Sequence, residues 1–476
     1  IARVVKARDV SGDGVVDIIV GTTYQTQSRL FLGDGDGGFD EVTDTHLPQT
    51  PASVGDLEVG DVDGDGDMDL VLADWGAGDP FESEGAPVRL WLNQGDGHFV
   101  AAPAGNVPAR KIRWSWDLEL VDVDNDRDLD VAVSCKVCDG GALYHNRGDG
   151  TFEDASDGLP QFTNNYELEP LDLDGDGFLD LVTINDGEQA SDDEFDRREH
   201  VFMNDGTGRF AVGGQDVWPD AENAGADDNA VVVLDVDSDG DPDFVIASLS
   251  GDDRLMVNDG GTLREDATVF GGDPTPGTLG IAVADLDGDH KLDVVQSQGE
   301  VAEDERVYHG TGIAVDSAAP RVDLVEQPDL GGGAAVTVRA RVHDAKTPVA
   351  AFDFEEVVLC EGACADATGA ARHAMTWYGG ALWRAELPAQ DGLTYQVCAT
   401  DAAGNQACGE TLTLGEAGGG DEDKTDAGDH GGGGGGCSCA AGRRAPLTAG
   451  LLILGAVLTA AVRRRRRRGA RPADRA

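Results

Sequence analysis

Six stretches of this sequence set carboxylates at alternate positions. They run from Asp9 to Asp17, Asp61 to Asp69, Asp122 to Asp130, Asp172 to Asp180, Asp235 to Asp243 and Asp285 to Asp293. The densest, Asp61-Val62-Asp63-Gly64-Asp65-Gly66-Asp67-Met68-Asp69, holds five carboxylates in nine residues. Such a loop repels itself unless a cation lies inside it. Oxygen-only donors suit calcium: side chains at positions 1, 3, 5 and 9 converge on one ion, a backbone carbonyl at position 7 joins them, and glycine at position 6 allows the sharp turn. The candidate ligands are Asp9, Ser11, Asp13 and Asp17; Asp61, Asp63, Asp65 and Asp69; Asp122, Asp124, Asp126 and Asp130; Asp172, Asp174, Asp176 and Asp180; Asp235, Asp237, Asp239 and Asp243; and Asp285, Asp287, Asp289 and Asp293.

The loops are not identical. Ser11 replaces aspartate at position 3 of the first and coordinates through its hydroxyl or a water. Arg127 and His290 stand at position 6 where the other four loops carry glycine, at a cost of about 1 kcal/mol or more if φ is positive there. Pro242, at position 8 of the fifth loop, removes an amide donor beside a turn. Solvated turns also favour Asp and Gly, but turn chemistry alone does not require aspartates at alternate positions six times over.

The loops recur with start-to-start spacings of 52, 61, 50, 63 and 50 residues. Each is followed by an apolar run such as Asp17 to Val20, Leu70 to Ala73 or Phe244 to Ala247, and then by a hairpin with a Gly-rich turn. The hairpins span Leu30 to Phe39, Leu90 to Phe99, Leu143 to Phe152 and Val201 to Phe210, with weaker versions near Leu255 and Val307. Four short strands per unit at this period predict propeller blades. On these loops the chain resembles FG-GAP/VCBS repeat proteins, the calcium-loop β-propellers also found in the head of integrin α subunits. The resemblance covers residues 1–318. It implies a six- or seven-bladed propeller with one calcium per loop, up to six in all, and a role in adhesion or ligand binding; some relatives accompany enzymes.

Past residue 318 the acidic loops stop. Alternating runs at Val336 to Val342, Val357 to Leu359, Ala381 to Leu387 and Leu393 to Ala399, with a Gly-Gly hairpin turn in Trp377 to Trp383, predict a β-sandwich over 319–415. The stretch Tyr395 to Asn405 resembles the last strands of bacterial Ig-like domains, which implies a stalk or spacer. Cys360 with Cys364 and Cys398 with Cys408 flank turns and fit disulfides of an oxidising compartment. Cys135 and Cys138 lack the second pair a zinc site needs, so a loop disulfide is the preferred reading.

Residues 416–444 form a flexible Gly/Asp-rich linker, with Gly431 to Gly436 ahead of Cys437-Ser438-Cys439. The uncharged residues 445–462 would span roughly 27 Å as a transmembrane helix, and the basic tail 463–476, with Arg463 to Arg468, stays cytoplasmic. Residues 431–468 resemble the myxobacterial C-terminal sorting tag MYXO-CTERM. That resemblance implies a membrane-embedded sorting protease, processing at Cys437 or Cys439, and display on the outer surface of the cell envelope after anchoring in the inner membrane. The chain starts at Ile1 with no signal segment, so a leader, and possibly another blade or domain, is expected upstream.

Thirty-five basic against 91 acidic residues give a net charge of −56, of which six calcium ions would offset 12. Such a charge makes nucleic acid and anionic headgroups poor partners of the head, and no nucleic-acid partner is expected. No GxSxG, HExxH or phosphate-binding glycine loop occurs, so the expectation is a binding protein and not an enzyme. The predicted partner is an extracellular protein or polysaccharide, contacted through loops such as Gly187 to His200 and Gly214 to Asn229. The alternative is a carbohydrate-active enzyme: a lyase on the propeller, or a catalytic region preceding Ile1. Arg147-Gly148-Asp149 spells an integrin-recognition tripeptide but falls on a normal hairpin turn of the repeat. Trp91 and Trp116 are expected in blade packing, and Trp75 and Trp114 as an exposed, sugar-stacking pair.

Overall fold

The computed structural model describes residues 1–415, apart from 139, 163–164, 186–197, 224, 271–274, 276, 300–303, 331 and 345–353. Its described residues are almost entirely β. Six antiparallel sheets follow one another along the chain, and each has its strands in sequence order. Sheet one comprises Ala2–Arg8, Asp17–Thr22, Arg29–Gly33 and Phe39–Glu41. Sheet two comprises Val54–Gly60, Asp69–Asp74, Arg89–Asn93 and Phe99–Ala101. Sheet three is built from Leu118–Val121, Asp130–Val133, Ala142–Asn146 and Phe152–Asp154, and sheet four from Asn165–Leu171, Asp180–Asn185, His200–Asn204 and Phe210–Val212. Sheet five holds Asp228–Leu234, Asp243–Ser248, Arg254–Asn258 and Leu263–Asp266; sheet six holds three strands among the described residues, Thr278–Ala284, Asp293–Gln298 and Arg306–Tyr308.

Burial explains the two kinds of strand. The second strands of sheets two to five are buried along their whole length, because each lies between neighbouring sheets. They therefore read as continuous apolar runs, not as alternation. First strands alternate: in Val54–Gly60 the side chains of Leu57 and Val59 point into the core, while Asp56 and Glu58 are only half-buried. Successive first strands pack on one another, and all six line one central cavity of about 280 Å³. The apolar clusters sit in the seams, such as Ile19, Leu57 and Leu72 between sheets one and two, or Val182, Val231 and Ile246 between four and five. The arrangement is propeller-like.

Two further sheets close on each other at the C-terminal side. One is ordered Arg321–Asp323, Ala335–His343, Leu382–Pro388, Thr376–Gly379; the other Arg372–Ala374, Phe354–Glu361, Thr394–Asp401, Gln406–Cys408, with Leu412–Thr413 beside Thr394–Asp401. Val338, Ala340 and Leu387 of the first face Leu359, Tyr395 and Val397 of the second. The alternation in Val336 to Val342 is thus a sandwich strand with its valines inward. Among the described residues no helix is long and apolar enough to cross a membrane. The spans expected at 416–444, 445–462 and 463–476, with Cys437 and Cys439, lie outside the described residues.

Candidate metal loops and the face that covers them

Each acidic loop joins the first strand of a sheet to its second, and each is wound by its own carboxylates. At position 1, Asp9 accepts the amides of Gly12 and Gly14, Asp61 those of Gly64 and Gly66, Asp235 those of Ser238 and Gly240, and Asp285 those of Gly288 and His290. At position 5 the carboxylate takes the amide of position 7 in all six loops: Asp13, Asp65, Asp126, Asp176, Asp239 and Asp289 accept from Val15, Asp67, Asp128, Phe178, Asp241 and Lys291. At position 9 one oxygen takes the amide of position 2 and the other an amide where the third strand meets its turn. Asp69 does this with Val62 and Asn93, Asp130 with Val123 and Asn146, and Asp293 with Leu286 and Gly310. The cradle is therefore shaped before any ion enters it.

The predicted positive φ at position 6 is present in all six loops, at 84° for Gly14, 110° for Gly66, 71° for Arg127, 90° for Gly177, 93° for Gly240 and 62° for His290. Predicted ligands converge: Asp61, Asp63 and Asp69, then Asp122, Asp124 and Asp126, then Asp172, Asp174 and Asp176 each bring ligand atoms within 4.8 Å of one another. Oδ1 of Asp122, Asp124 and Asp172 is buried with no hydrogen-bond partner. Orphaned carboxylate oxygens in a ring of carboxylates fit a hard cation. In the first loop the Ser11 hydroxyl donates to Asp9 Oδ1 at 3.4 Å. Burial, with the neighbouring carboxylates behind it, pushes the cation-free loop acids up: Asp69 and Asp180 to about 8, Asp126 and Asp243 to about 7.

The loops also lie at seams. Asn93 Nδ2 donates to the carbonyl of Val10 in the preceding loop, Asn146 to Val62, Asn204 to Val123 and Asn258 to Leu173, all at 2.8 Å. Turn amides add to this, Gly150 to Val62 and Gly208 to Val123. Sequence reading missed these asparagines. Their signal was an Asn recurring just before the Gly-rich turn.

The sandwich covers part of this face with arginines. Arg384 reaches Asp61 Oδ2 at 2.5 Å, Arg321 reaches Asp172 Oδ2 at 2.5 Å, and Arg339 reaches Asp128 at 2.6 Å. Arg341, fully buried, bonds Asp122 Oδ2 at 3.1 Å, Asn125 Oδ1 at 2.6 Å and the Gly177 carbonyl at 2.7 Å. Three first-position aspartates thus each give one oxygen to the sandwich. Between loop two and the sandwich lies a cleft of about 830 Å³ lined by Asp61, Asp65, Arg339, His373, Tyr378 and Arg384.

A second acidic group lines the central cavity. Lys6 is bonded to Glu58 and stands 4.0 Å from Asp56, while Asp117, Glu119, Glu167 and Glu169 face them from sheets three and four. Burial raises Glu169 to about 8 and Asp56 to about 6, and with adjacent carboxylates it raises Asp117, Glu119 and Glu167 well above their ordinary values. Sequence reading did not find this group, since it is assembled from four strands far apart in the chain.

The expected exposed pair Trp75 and Trp114 is corrected: they are 3 % and 9 % exposed. Arg113 donates to the carbonyls of Ser83 and Phe81, drawing that loop over them, and Phe81 meets Trp114 edge-on at 4.3 Å. Trp91 is core, as expected, and Trp116 carries the Arg3 guanidinium 3.6 Å above its ring. Arg147 and Asp149 are exposed, but each is engaged locally, with Glu153 and Thr151. Cysteines pair as 135–138, 360–364 and 398–408.

The FG-GAP-like repeat family matches residues 9–72, 76–133, 137–183 and 235–295, and all six acidic loops fall inside those stretches. FG-GAP-like repeats thus recur in four stretches between residues 9 and 295. No curated protein matches this sequence. Among solved structures the chain is similar to the exotype rhamnogalacturonan lyase YesX, at 14 % identity and a TM-score of 0.34, covering 87 % of this chain and 83 % of that one. That likeness is too low to carry an argument about fold or activity.

Proposed function

We propose that this protein is an exported, calcium-stabilised binding module and not an enzyme: a six-bladed propeller over 1–318, docked on an Ig-like sandwich over 319–415, that captures an extracellular protein or polysaccharide. The observation that carries the reading is the recurrence of one preshaped carboxylate cradle in six loops, with orphaned buried oxygens at Asp122, Asp124 and Asp172. Positions 1, 3, 5 and 9 would hold calcium, which supplies the positive charge these loops lack and ties each loop in its wound form. The three disulfides support an oxidising compartment. The cleft beside loop two, at the junction of two domains and with polar groups of both signs, is the proposed ligand seat.

Display at the cell surface through residues 431–468 completes the proposal, with a sorting protease acting at Cys437 or Cys439. Mass spectrometry of the surface fraction would read a C-terminus without Arg463 to Arg468; an intact tail there would sink the processing step.

The deciding experiment is thermal unfolding of the chain with excess chelator and again in millimolar calcium, alongside metal counting. Extracellular modules bind calcium at about 10⁻⁴ to 10⁻³ M, so ten times Kd stabilises each site by about 1.4 kcal/mol. The expected result is a large upward shift with several ions bound. No shift and no bound metal would remove the calcium reading.

A further inference from the structure

We propose that the third and sixth loops are mixed nitrogen and oxygen sites for a zinc-class divalent ion, with His145 and His309 as ligands. The inference rests on the reading of the loops as cation sites and changes the ion that two of them take.

Asp124, Asp130 and His145 bring one ligand atom each within 4.8 Å of one another, and so do Asp287, Asp293 and His309. His145 Nδ1 is 3.2 Å from Asp124 Oδ2. His309 Nδ1 is 3.3 Å from Asp293 Oδ1 and 3.9 Å from Asp287 Oδ2. Two donors on one tetrahedral ion, with bonds of about 2.0 to 2.1 Å, stand about 3.3 Å apart, so these separations suit a shared metal. Calcium takes six to eight oxygens; imidazole nitrogen favours zinc and its neighbours.

The two histidines hold the same place in their sheets. Each directly precedes the residue that opens the turn, Asn146 or Gly310, where the other four sheets carry Leu32, Leu92, Met203 and Val257 packed in the seams. A position that takes leucine has no packing need for imidazole. The same two loops are those without glycine at position 6.

At the third loop an independent observation points to a missing partner. Asp122, 2 % exposed, and Asp124 each keep a buried, unpartnered Oδ1, while His145 Nε2 faces away from them toward the turn of sheet four. The turn of sheet four roofs the group so closely that a Cβ on Gly208 would lie 2.4 Å from Nε2. Nδ1 is thus the nitrogen turned toward the carboxylates, and neutral imidazole there is a ready donor.

The test uses the full chain, stripped by chelator and titrated with Co²⁺, a coloured zinc surrogate, in about 2 mM calcium. Two cobalt ions with the absorption of a tetrahedral nitrogen-containing site are expected. His145→Leu should remove one and His309→Leu the other, each keeping its melting temperature in calcium; His145→Gln serves if the leucine variant misfolds. An absent band, or one that survives in the double variant or is displaced by the calcium, overturns the proposal. Calcium stabilisation without the cobalt band would fail this inference alone. The band without calcium stabilisation would fail the calcium reading and leave this one standing.

Discussion

At position 6 of the loops a single torsion separates two kinds of residue, and substitution should change sign with it. Gly66 has φ of 110° and open space around it, so Gly66→Ala meets no atom and pays only for the backbone. A loss of about 1 to 2 kcal/mol is expected. His290 holds φ of 62° with an exposed side chain, so His290→Gly should be neutral to stabilising by up to about 1 kcal/mol. Urea denaturation of the calcium-loaded chain reads both, and the same sign for the two would refute the torsional account. Asn146 acts across a seam: its amide donates to Val62 and Leu129. Asn146→Ala leaves the Val62 carbonyl with the Gly150 amide but removes a partner from Leu129, so about 1 to 2 kcal/mol should be lost. An unchanged denaturation midpoint would mean the seam does not depend on it.

Between elements, the decisive contact is the hairpin Trp377 to Trp383. Its Gly-Gly turn was legible as a turn, but Gly379 also lies against the Gly60 Cα, where a Cβ would come within 3.2 Å, and 2.4 Å from Leu129. Gly380 would meet the Leu120 carbonyl at 2.9 Å, and the Asp61 amide donates to the Tyr378 carbonyl. Gly379→Ala should therefore strain and loosen the contact between sandwich and propeller, more so because φ is 135° there. Small-angle scattering should show a larger radius of gyration and limited proteolysis a faster cut between residues 309 and 320; unchanged values for both would contradict this docking. Arg341→Met should loosen the same face by about 3 to 5 kcal/mol, since it strands the Asp122 carboxylate in a dry contact. Legibility divides along this line. Loops, second strands and hairpins could be read because each is written in consecutive residues with a period. Arg339 and Arg341 take the outward positions of an alternating strand, and pattern distinguishes inward from outward but not water from another domain. Likewise Trp75 and Trp114 were placed outside because nothing local announces that Arg113 will draw the Phe81 loop over them.

For the whole molecule the governing quantity is excess negative charge held in two places, the loops and the central cavity, which respond differently to ions and to pH. On the proposed reading, calcium offsets the charge of the loops. The cavity has Lys6 and Arg3 against Asp56, Asp117, Glu119, Glu167 and Glu169, with Glu58 bonded to Lys6, and its uncharged walls, Asn229 to Val231 and Leu279 to Ile281, add no compensation. Asp56, Asp117, Glu119, Glu167 and Glu169 titrate higher in the folded chain than in the unfolded one, Glu169 near 8 and Asp56 near 6 against about 4. The folded state then binds more protons, so stability falls as pH rises between about 4 and 8. The calcium-loaded chain should therefore melt highest on the acid side of neutrality and lose stability toward pH 8. Below about pH 4 the slope reverses, as acids held low in the fold, such as Asp266 by Thr268 and Asp323 by His343, must protonate. With chelator the fall toward pH 8 steepens, since Asp69 and Asp180 then join the raised group. Glu169→Gln removes one cavity charge at a half-buried site outside the acidic loops, and should flatten the profile in both conditions. A melting temperature that climbs steadily from pH 5 to 8 in the calcium-loaded chain, or a Glu169→Gln profile parallel to that of the parent, would show that water in the cavity already screens these charges.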